Sequence, residues 1–393
     1  PYPIPNASHG TACAGIVAGD TGGPYPYIGG VAPGAKLYAL KITELGSDGQ
    51  ARIFADAVTD AILWCTAHKN DDPNNPIVAI NISVGGLKRY FEPCDAQESA
   101  AGVRAINEAV SAGIAVFQPS GNNGYCDSMV AGACLSNVIS VGAVYDSDIG
   151  SNPKPGAVGC ISPESCAGFG SEEGCGCDTG WCYVDETTAA DQVPSYSNTA
   201  PFLDLLAASN SAYTTDLSGA TGAARGNYRD FGGTSGASPY AAGAAACVQS
   251  GAKALTGHFL TPQEIKELLR SSGDPVIDAK TNPPISIPRI NIAQAIDRLI
   301  EANDETHVIF EETFATERLD SSTWIQAAGA TVDDAGLDEP SALYSLRLNG
   351  QPSGQESITS RPIDLSSFAH ATLSYWYQRT GGGNSPEAND DLV

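Results

Sequence analysis

Apolar positions along residues 33–212 alternate between two rhythms. Short continuous apolar runs at 36–42, 77–83, 114–118, 138–144 and 202–208 read as strands. Between them, residues 51–68 place Ile53, Phe54, Ala57, Ala61, Ile62 and Cys65 near helical spacing. Residues 96–112 form a second helical stretch, closed by Gly113. Continuous apolar strands alternating with helices predict a parallel sheet covered on both faces. Functional groups are then expected just beyond the carboxyl ends of the strands. Helical spacing resumes at 238–249, 261–271 and 292–301.

Two stretches break this rhythm. Residues 150–193 are rich in Gly, Cys, Pro and acidic side chains and read as a disulfide-tied insertion. Beyond a polar linker at 303–308, short period-2 runs at 307–310, 341–348, 357–360 and 371–378 predict an antiparallel β-sandwich. The predicted division is therefore an α/β domain over 1–302 and a partial β domain over 309–393.

Charge and cysteine content narrow the function. Forty-five acidic against 20 basic side chains give a net charge of −25. That argues against nucleic acid and anionic membrane surfaces as partners, because both need clustered cations. No apolar run approaches the ~20 residues of a membrane-spanning helix. Of 11 cysteines, Cys160, Cys166, Cys175, Cys177 and Cys182 crowd the insertion, and Cys94, Cys126 and Cys134 fall in loop-like segments. This usage points to disulfides and an oxidising compartment. Zinc at Cys175 and Cys177 is disfavoured, since the spacing lacks a second pair and no His is near. Cys13, Cys65 and Cys247 read as small buried apolar residues. The chain starts at Pro1 and its sole Met is Met129, so both ends are expected to be cut.

Four short motifs sit at predicted strand or helix ends. Gly233-Thr234-Ser235-Gly236-Ala237-Ser238-Pro239 places one Ser among small residues at the start of a helix. Backbone N–H groups and the positive helix end there suit a nucleophile that develops an oxyanion, although an ordinary helix cap has the same composition. His9 lies in Asn6-Ala7-Ser8-His9-Gly10-Thr11 and is one of only five His residues that could act as a base. Pro119-Ser120-Gly121-Asn122-Asn123-Gly124 follows a strand, and its Asn side chains could donate to an oxyanion or simply make a turn. Asn81-Ile82-Ser83-Val84-Gly85-Gly86 leaves another strand end with exposed backbone able to pair with an extended peptide.

Together the four motifs resemble the subtilisin-like serine protease family, in the family's order, over roughly residues 5–302. The resemblance implies a three-layer α/β fold with a central parallel sheet. It implies Ser235 as nucleophile, His9 as general base and then acid, and Asn122 as oxyanion donor beside the Ser235 N–H. Ser83, Val84, Gly85 and Gly86 would line one wall of the substrate cleft, and Pro119, Ser120 and Gly121 the other. The family's triad also needs an Asp before the His. Only eight residues precede His9, none acidic, so truncation is expected and this chain should be nearly inactive. A serine-carboxyl peptidase is disfavoured because that class carries a Glu where His9 stands.

The implied reaction needs no cofactor. The family often holds calcium in the loop after the His helix, here residues 20–29, so a structural calcium is a further expectation. Residues 309–393 resemble laminin-G/MAM-like sandwiches appended to secreted proteins, with 341–348, 360–364 and 371–377 carrying the likeness. The expected protein is a secreted or cell-surface endopeptidase acting on proteins or peptides, with a carbohydrate or cell-surface target for its C-terminal domain. The alternatives are an inactive subtilisin-like binding scaffold and an adhesion protein acting through the sandwich.

Overall fold

The computed structural model describes residues 8–23, 26–45, 51–86, 88–150, 152–153, 184–185, 187–210, 212–217, 228–303, 312–314, 316–334, 344–348 and 357–365. The cysteine-rich core of the insertion and the predicted strands at 307–310 and 371–378 lie outside them. The chain separates into two compact units, Pro1–Asp304 and Glu305–Val393.

In the first unit the helices are α1 (His9–Ala18), α2 (Ala55–Ala67), α3 (Ala100–Ser111), α4 (Thr234–Thr256), α5 (Pro262–Ser271) and α6 (Ile292–Asn303). The strands run β1 (Thr43–Leu45), β2 (Ala51–Ile53), β3 (Ala79–Asn81), β4 (Arg89–Tyr90), β5 (Ala115–Pro119), β6 (Met129–Val130) and β7 (Ile139–Val144). They continue as β8 (Asn152–Pro153), β9 (Val184–Asp185), β10 (Leu205–Ala208), β11 (Ala212–Thr215), β12 (Tyr228–Phe231), β13 (Asp274–Asp278) and β14 (Ile285–Arg289).

Six strands form the central sheet in the order β13-β14-β10-β7-β5-β3. β3, β5, β7, β10 and β14 are parallel; β13 runs antiparallel at one edge. The predicted parallel sheet is thus present, with one antiparallel strand added at its edge. The hairpin of β13 and β14 escaped the pattern because Pro275, Pro283, Pro284 and Pro288 interrupt it, and β13 tolerates proline as an edge strand.

One face of the sheet packs on α4. Phe117, Ile139, Val141 and Leu205 meet Ala237, Ala241, Ala244, Ala245 and Val248, all essentially inaccessible to solvent. Small residues on α4 let the helix lie close to the strands, so its N-terminus reaches the strand ends. The other face is covered by α2 and α3 through Ile62, Cys65, Ala105 and Ile106 against Val116 and Val138.

The expected strand at 36–42 is absent. Strand structure starts only at β1, which pairs antiparallel with β2, and β2 occupies the start of the stretch predicted as helix from 51. Leu37 and Tyr38 are 49% and 50% exposed. An apolar run becomes a strand only where a sheet edge satisfies its backbone groups, and 36–42 finds no such edge among the described residues.

Cys94 and Cys134 form a disulfide. Cys13 and Cys65 are buried free thiols, and Cys247 is a partly buried one. Cys126, grouped by sequence with the disulfide candidates, is instead a free buried thiol whose pKa is raised, mainly by burial. Lys280, in the turn after β13, donates its ammonium to Pro194 O at 2.9 Å and Ser197 O at 2.6 Å, beside the buried Asp278 carboxylate.

In the second unit, β15 (Trp324–Ala328) pairs antiparallel with β18 (Ser357–Ser360), and β16 (Ala330–Asp333) with β17 (Ser345–Leu348). The antiparallel character agrees with the period-2 pattern. β15 and β16 were not anticipated.

Candidate active site

Ser235 is the second residue of α4 and is half-buried. Gly233 precedes the helix with φ +74° and ψ 176°, a conformation open essentially to Gly alone. A Cβ there would also meet Asn122 Oδ1 at 3.2 Å. Ser209 Oγ donates to Gly233 O at 2.5 Å and ties this cap to the end of β10.

Asn122 lies in the turn after β5. Its Oδ1 accepts from Thr234 N at 2.8 Å and from Thr234 Oγ1 at 2.9 Å. A backbone N–H can only donate, so Oδ1 is fixed toward Thr234 and the amide nitrogen occupies the opposite branch. The turn itself is shaped by Asn198, which is fully buried. Its Oδ1 accepts from Asn123 N and Tyr125 N, and its Nδ2 donates to Ser120 O.

A hydrogen-bonded chain runs from α4 to β3 and back. Ser238 Oγ donates to Asn81 Oδ1 at 2.7 Å, and Asn81 Nδ2 donates to Ser83 Oγ at 2.9 Å. Ser83 Oγ donates to Ser235 O at 3.1 Å. Ser83, expected in the cleft wall, therefore also anchors the first turn of α4.

His9 opens α1, which packs on α4, and its ring meets Phe231 edge-on with centroids 5.1 Å apart. Cys13, one turn along α1, has its Sγ 3.7 Å from His9 Nδ1 and 3.5 Å from Ser235 O. The Cys13 thiol thus contacts the His9 ring and the Ser235 backbone carbonyl. Burial raises the Cys13 pKa to about 11, partly offset by a hydrogen bond with Ser83, so this group is a neutral thiol at neutral pH. Asp20, the first acid in the chain, lies beyond the far end of α1 and accepts from Gly22 N at 3.1 Å.

The two expected walls extend neighbouring parallel strands. Residues 83–86 continue β3 and residues 120–121 continue β5, with Ile82 N donating to Phe117 O between them. Gly85 and Gly86 are exposed and Gly121 is half-buried. Pro119 and Ser120 are buried, so on that side the open surface falls to Gly121.

Three shaping residues gave no signal in the sequence. Asn198 and Thr234 look like ordinary turn and cap residues. Cys13 reads as a small apolar filler. Among the described residues no three His, Cys, Asp or Glu side chains cluster as a metal site. In the described part of the loop after α1 the one carboxylate is Asp20, which accepts from Gly22 N.

The profile of the Subtilase family matches residues 4–288. The chain belongs to that family. Among curated subtilase relatives, Serine protease AprX of Bacillus subtilis is 29% identical over 282 residues, 71% of this chain and 56% of that protein. Extracellular protease of Xanthomonas campestris is 30% identical over 275 residues, 68% of this chain and 37% of that protein. Subtilisin DY of Bacillus licheniformis is 29% identical over 251 residues, covering 63% of this chain and 66% of the relative. The chain thus spans about half the length of the first of these and less of the second. A protease from Pseudoalteromonas arctica PAMC 21717 superposes with a TM-score of 0.51 at 22% identity, over 74% of this chain and 70% of that one. This likeness shows the subtilisin-like fold. No helix among the described residues is long and apolar enough to cross a membrane.

Proposed function

We propose that this chain carries the peptidase part of a secreted serine endopeptidase acting on proteins or peptides. One observation supports this reading most. Ser235 sits at the amino end of α4 with its carbonyl held by Ser83, while its neighbour Thr234 orients the Asn122 amide. This supports a reading in which the Ser235 hydroxyl, its backbone N–H and the Asn122 amide serve one acyl-transfer site.

In the proposed reaction Ser235 Oγ attacks the scissile carbonyl and His9 takes its proton. The Asn122 amide and the Ser235 N–H hold the oxyanion. His9 passes the proton to the leaving amine, and the acyl-enzyme forms. Water, deprotonated by His9, then releases the acid. The protonated Cys13 thiol is a poor nucleophile and leaves that role to Ser235. Extracellular location is supported by the name of the Xanthomonas relative and by the disulfide. The second unit is proposed as a binding module on the strength of its antiparallel pairs alone.

The test is labelling of the complete protein with a fluorophosphonate, followed by peptide mapping. A phosphonyl adduct on Ser235, absent from Ser235→Ala, is expected together with peptide hydrolysis. A folded protein that neither labels nor hydrolyses would instead be a binding scaffold.

A further inference from the structure

Asn122 is exposed, and residues on both sides of it bond to one buried segment, 194–199, which belongs to no helix or strand. Gly121 O accepts from Asn198 N at 3.0 Å, and Ser120 O accepts from Asn198 Nδ2 at 3.0 Å. Asn123 N and Tyr125 N donate to Asn198 Oδ1 at 2.9 Å and 3.0 Å. Gly124 N donates to Tyr196 O at 2.8 Å, and Tyr125 O accepts from Thr199 N at 2.7 Å. A displacement of 194–199 would therefore carry the Asn122 turn with it.

That segment is fixed in turn by the hairpin of β13 and β14. Lys280 Nζ donates to Pro194 O at 2.9 Å and to Ser197 O at 2.6 Å. The ammonium lies 3.7 Å from Asp278 Oδ2, and the same oxygen accepts from Thr199 Oγ1 at 2.6 Å. Lys280 N donates to Asp278 Oδ1 at 2.9 Å, which ties the carboxylate and the amine into one turn. Two carbonyls and a carboxylate thus surround one cation, and between them they grip the segment at Pro194, Ser197 and Thr199.

The grip is strong because the cation is hidden. The Lys280 side chain is 12% exposed and that of Asp278 is 1% exposed. An ammonium has three donors and no acceptor, and a charge this far from water is costly unless its partners are in place. Removing it would leave Ser197 O without its donor and Asp278 as an unbalanced buried charge. Segment 194–199 has no sheet ladder to restore its position.

We propose that Lys280 is a positioning residue for the acyl-transfer reaction. It touches no reacting atom. Its ammonium holds 194–199 where Asn198 sets the Asn122 amide against the developing oxyanion. This rests on the peptidase reading above and adds to it a residue outside the four motifs. The amide is needed more by the oxyanion than by the bound substrate, so loss of Lys280 falls on kcat rather than on KM.

The experiment is a double-mutant cycle on the complete protein with a tetrapeptide amide as substrate, each variant measured well below its melting temperature. Lys280→Met keeps the chain length and drops the charge; it should lower kcat at least about tenfold and move KM by less than about threefold. The same substitution made in Asn122→Ala should lower kcat by less than about twofold, since the amide it positions is already gone. A merely structural lysine would cost the same factor in both backgrounds. If Lys280→Met does not fold, Lys280→Gln retains an N–H donor and should show a smaller loss, again only where Asn122 is present. An unchanged kcat, an equal loss in both backgrounds, or a loss taken up by KM overturns the proposal. Fluorophosphonate labelling separates the two levels: a labelled Ser235 with equal losses in both backgrounds overturns the role of Lys280 alone. A Ser235 that takes no label overturns the peptidase reading and this inference with it.

Discussion

α4 and α1 each present one candidate catalytic side chain from their first turn, but they are mounted differently. α4 has 23 residues, threads the core and is buried along most of its length. Its first turn is fixed by Ser83, Ser209 and Asn122 from three different strand ends. α1 has ten residues, of which only Ala12, Cys13 and Gly15 are buried. It is tied to β11 by Thr214 Oγ1 donating to Ala12 O at 3.0 Å and Thr215 Oγ1 donating to Thr11 O at 2.7 Å. The proposed nucleophile is therefore held by the core itself, and the proposed base by a peripheral helix tied through a few hydrogen bonds. Rigidity in this site is unequally shared, and His9 carries the softer half.

The largest effect should come from the rigid side. In the complete protein, Ser235→Ala should lower peptide turnover by about 10⁶ with little change in melting temperature, checked by steady-state kinetics and calorimetry. Asn122→Ala should lower kcat by about 10²–10³ and leave KM nearly unchanged. Both magnitudes are those known for a subtilisin and carry over through membership of the family. A large loss of stability in either variant would break the picture of a site resting on an independent core.

The thiol between the two mounts gives a pH test. Burial holds Cys13 protonated up to about 11, above the ordinary thiol value near 9. The native state thus keeps a proton that the unfolded chain releases first, so stability is full below about pH 9 and is lost as pH rises toward 11. Cys65, raised to about 11, and Tyr196, raised by complete burial, act in the same direction. Melting temperatures measured from pH 8 to 11 should fall across that window, and less steeply in Cys13→Ala. An equal slope in the two proteins would show that the thiol does not couple to folding.

The smallest effect sharpens the comparison most. Thr214→Val with Thr215→Val should cost about 1–2 kcal/mol of stability, about 1 for each hydrogen bond. Activity should fall more than this loss explains, because His9 moves with α1. The outcome is read from kcat measured well below the melting temperature. Unchanged kcat would mean that α1 is positioned by packing against α4 alone.

Legibility in the sequence followed the same divide. The motif at Gly233–Ser238 was readable because a φ of +74°, a helix start and a tight approach to the sheet together demand Gly and small residues. β5 and β7 were readable because they are buried on both faces. The helical stretch read at 261–271 matches α5 to within a residue, and Thr261 with Glu264 closes its start as a capping box. What stayed hidden depends on contacts distant in sequence. Asn198 reaches Tyr125 across 73 positions, and Ser83 reaches Ser235 across 152. Residues 36–42 failed in the opposite sense: they have strand composition, but pairing needs a free edge, which composition does not report. Proline hid β13 and β14 by interrupting the apolar run, and Pro275 is tolerated because β13 lies at the sheet edge.

Lys280 makes the order of events matter. Its ammonium closes on Pro194 O and Ser197 O, the residues leading into Asn198 and so into the Asn122 turn. In the folded protein this amine is nearly hidden from reagents, with 12% of its side chain exposed. Acetylation or carbamylation of the native protein should spare it and leave activity intact. The same treatment of the unfolded chain should neutralise it before the carbonyls gather, and the refolded product should lack an ordered Asn122 turn. A preparation recovered through aged urea would then carry a permanent mark of its history.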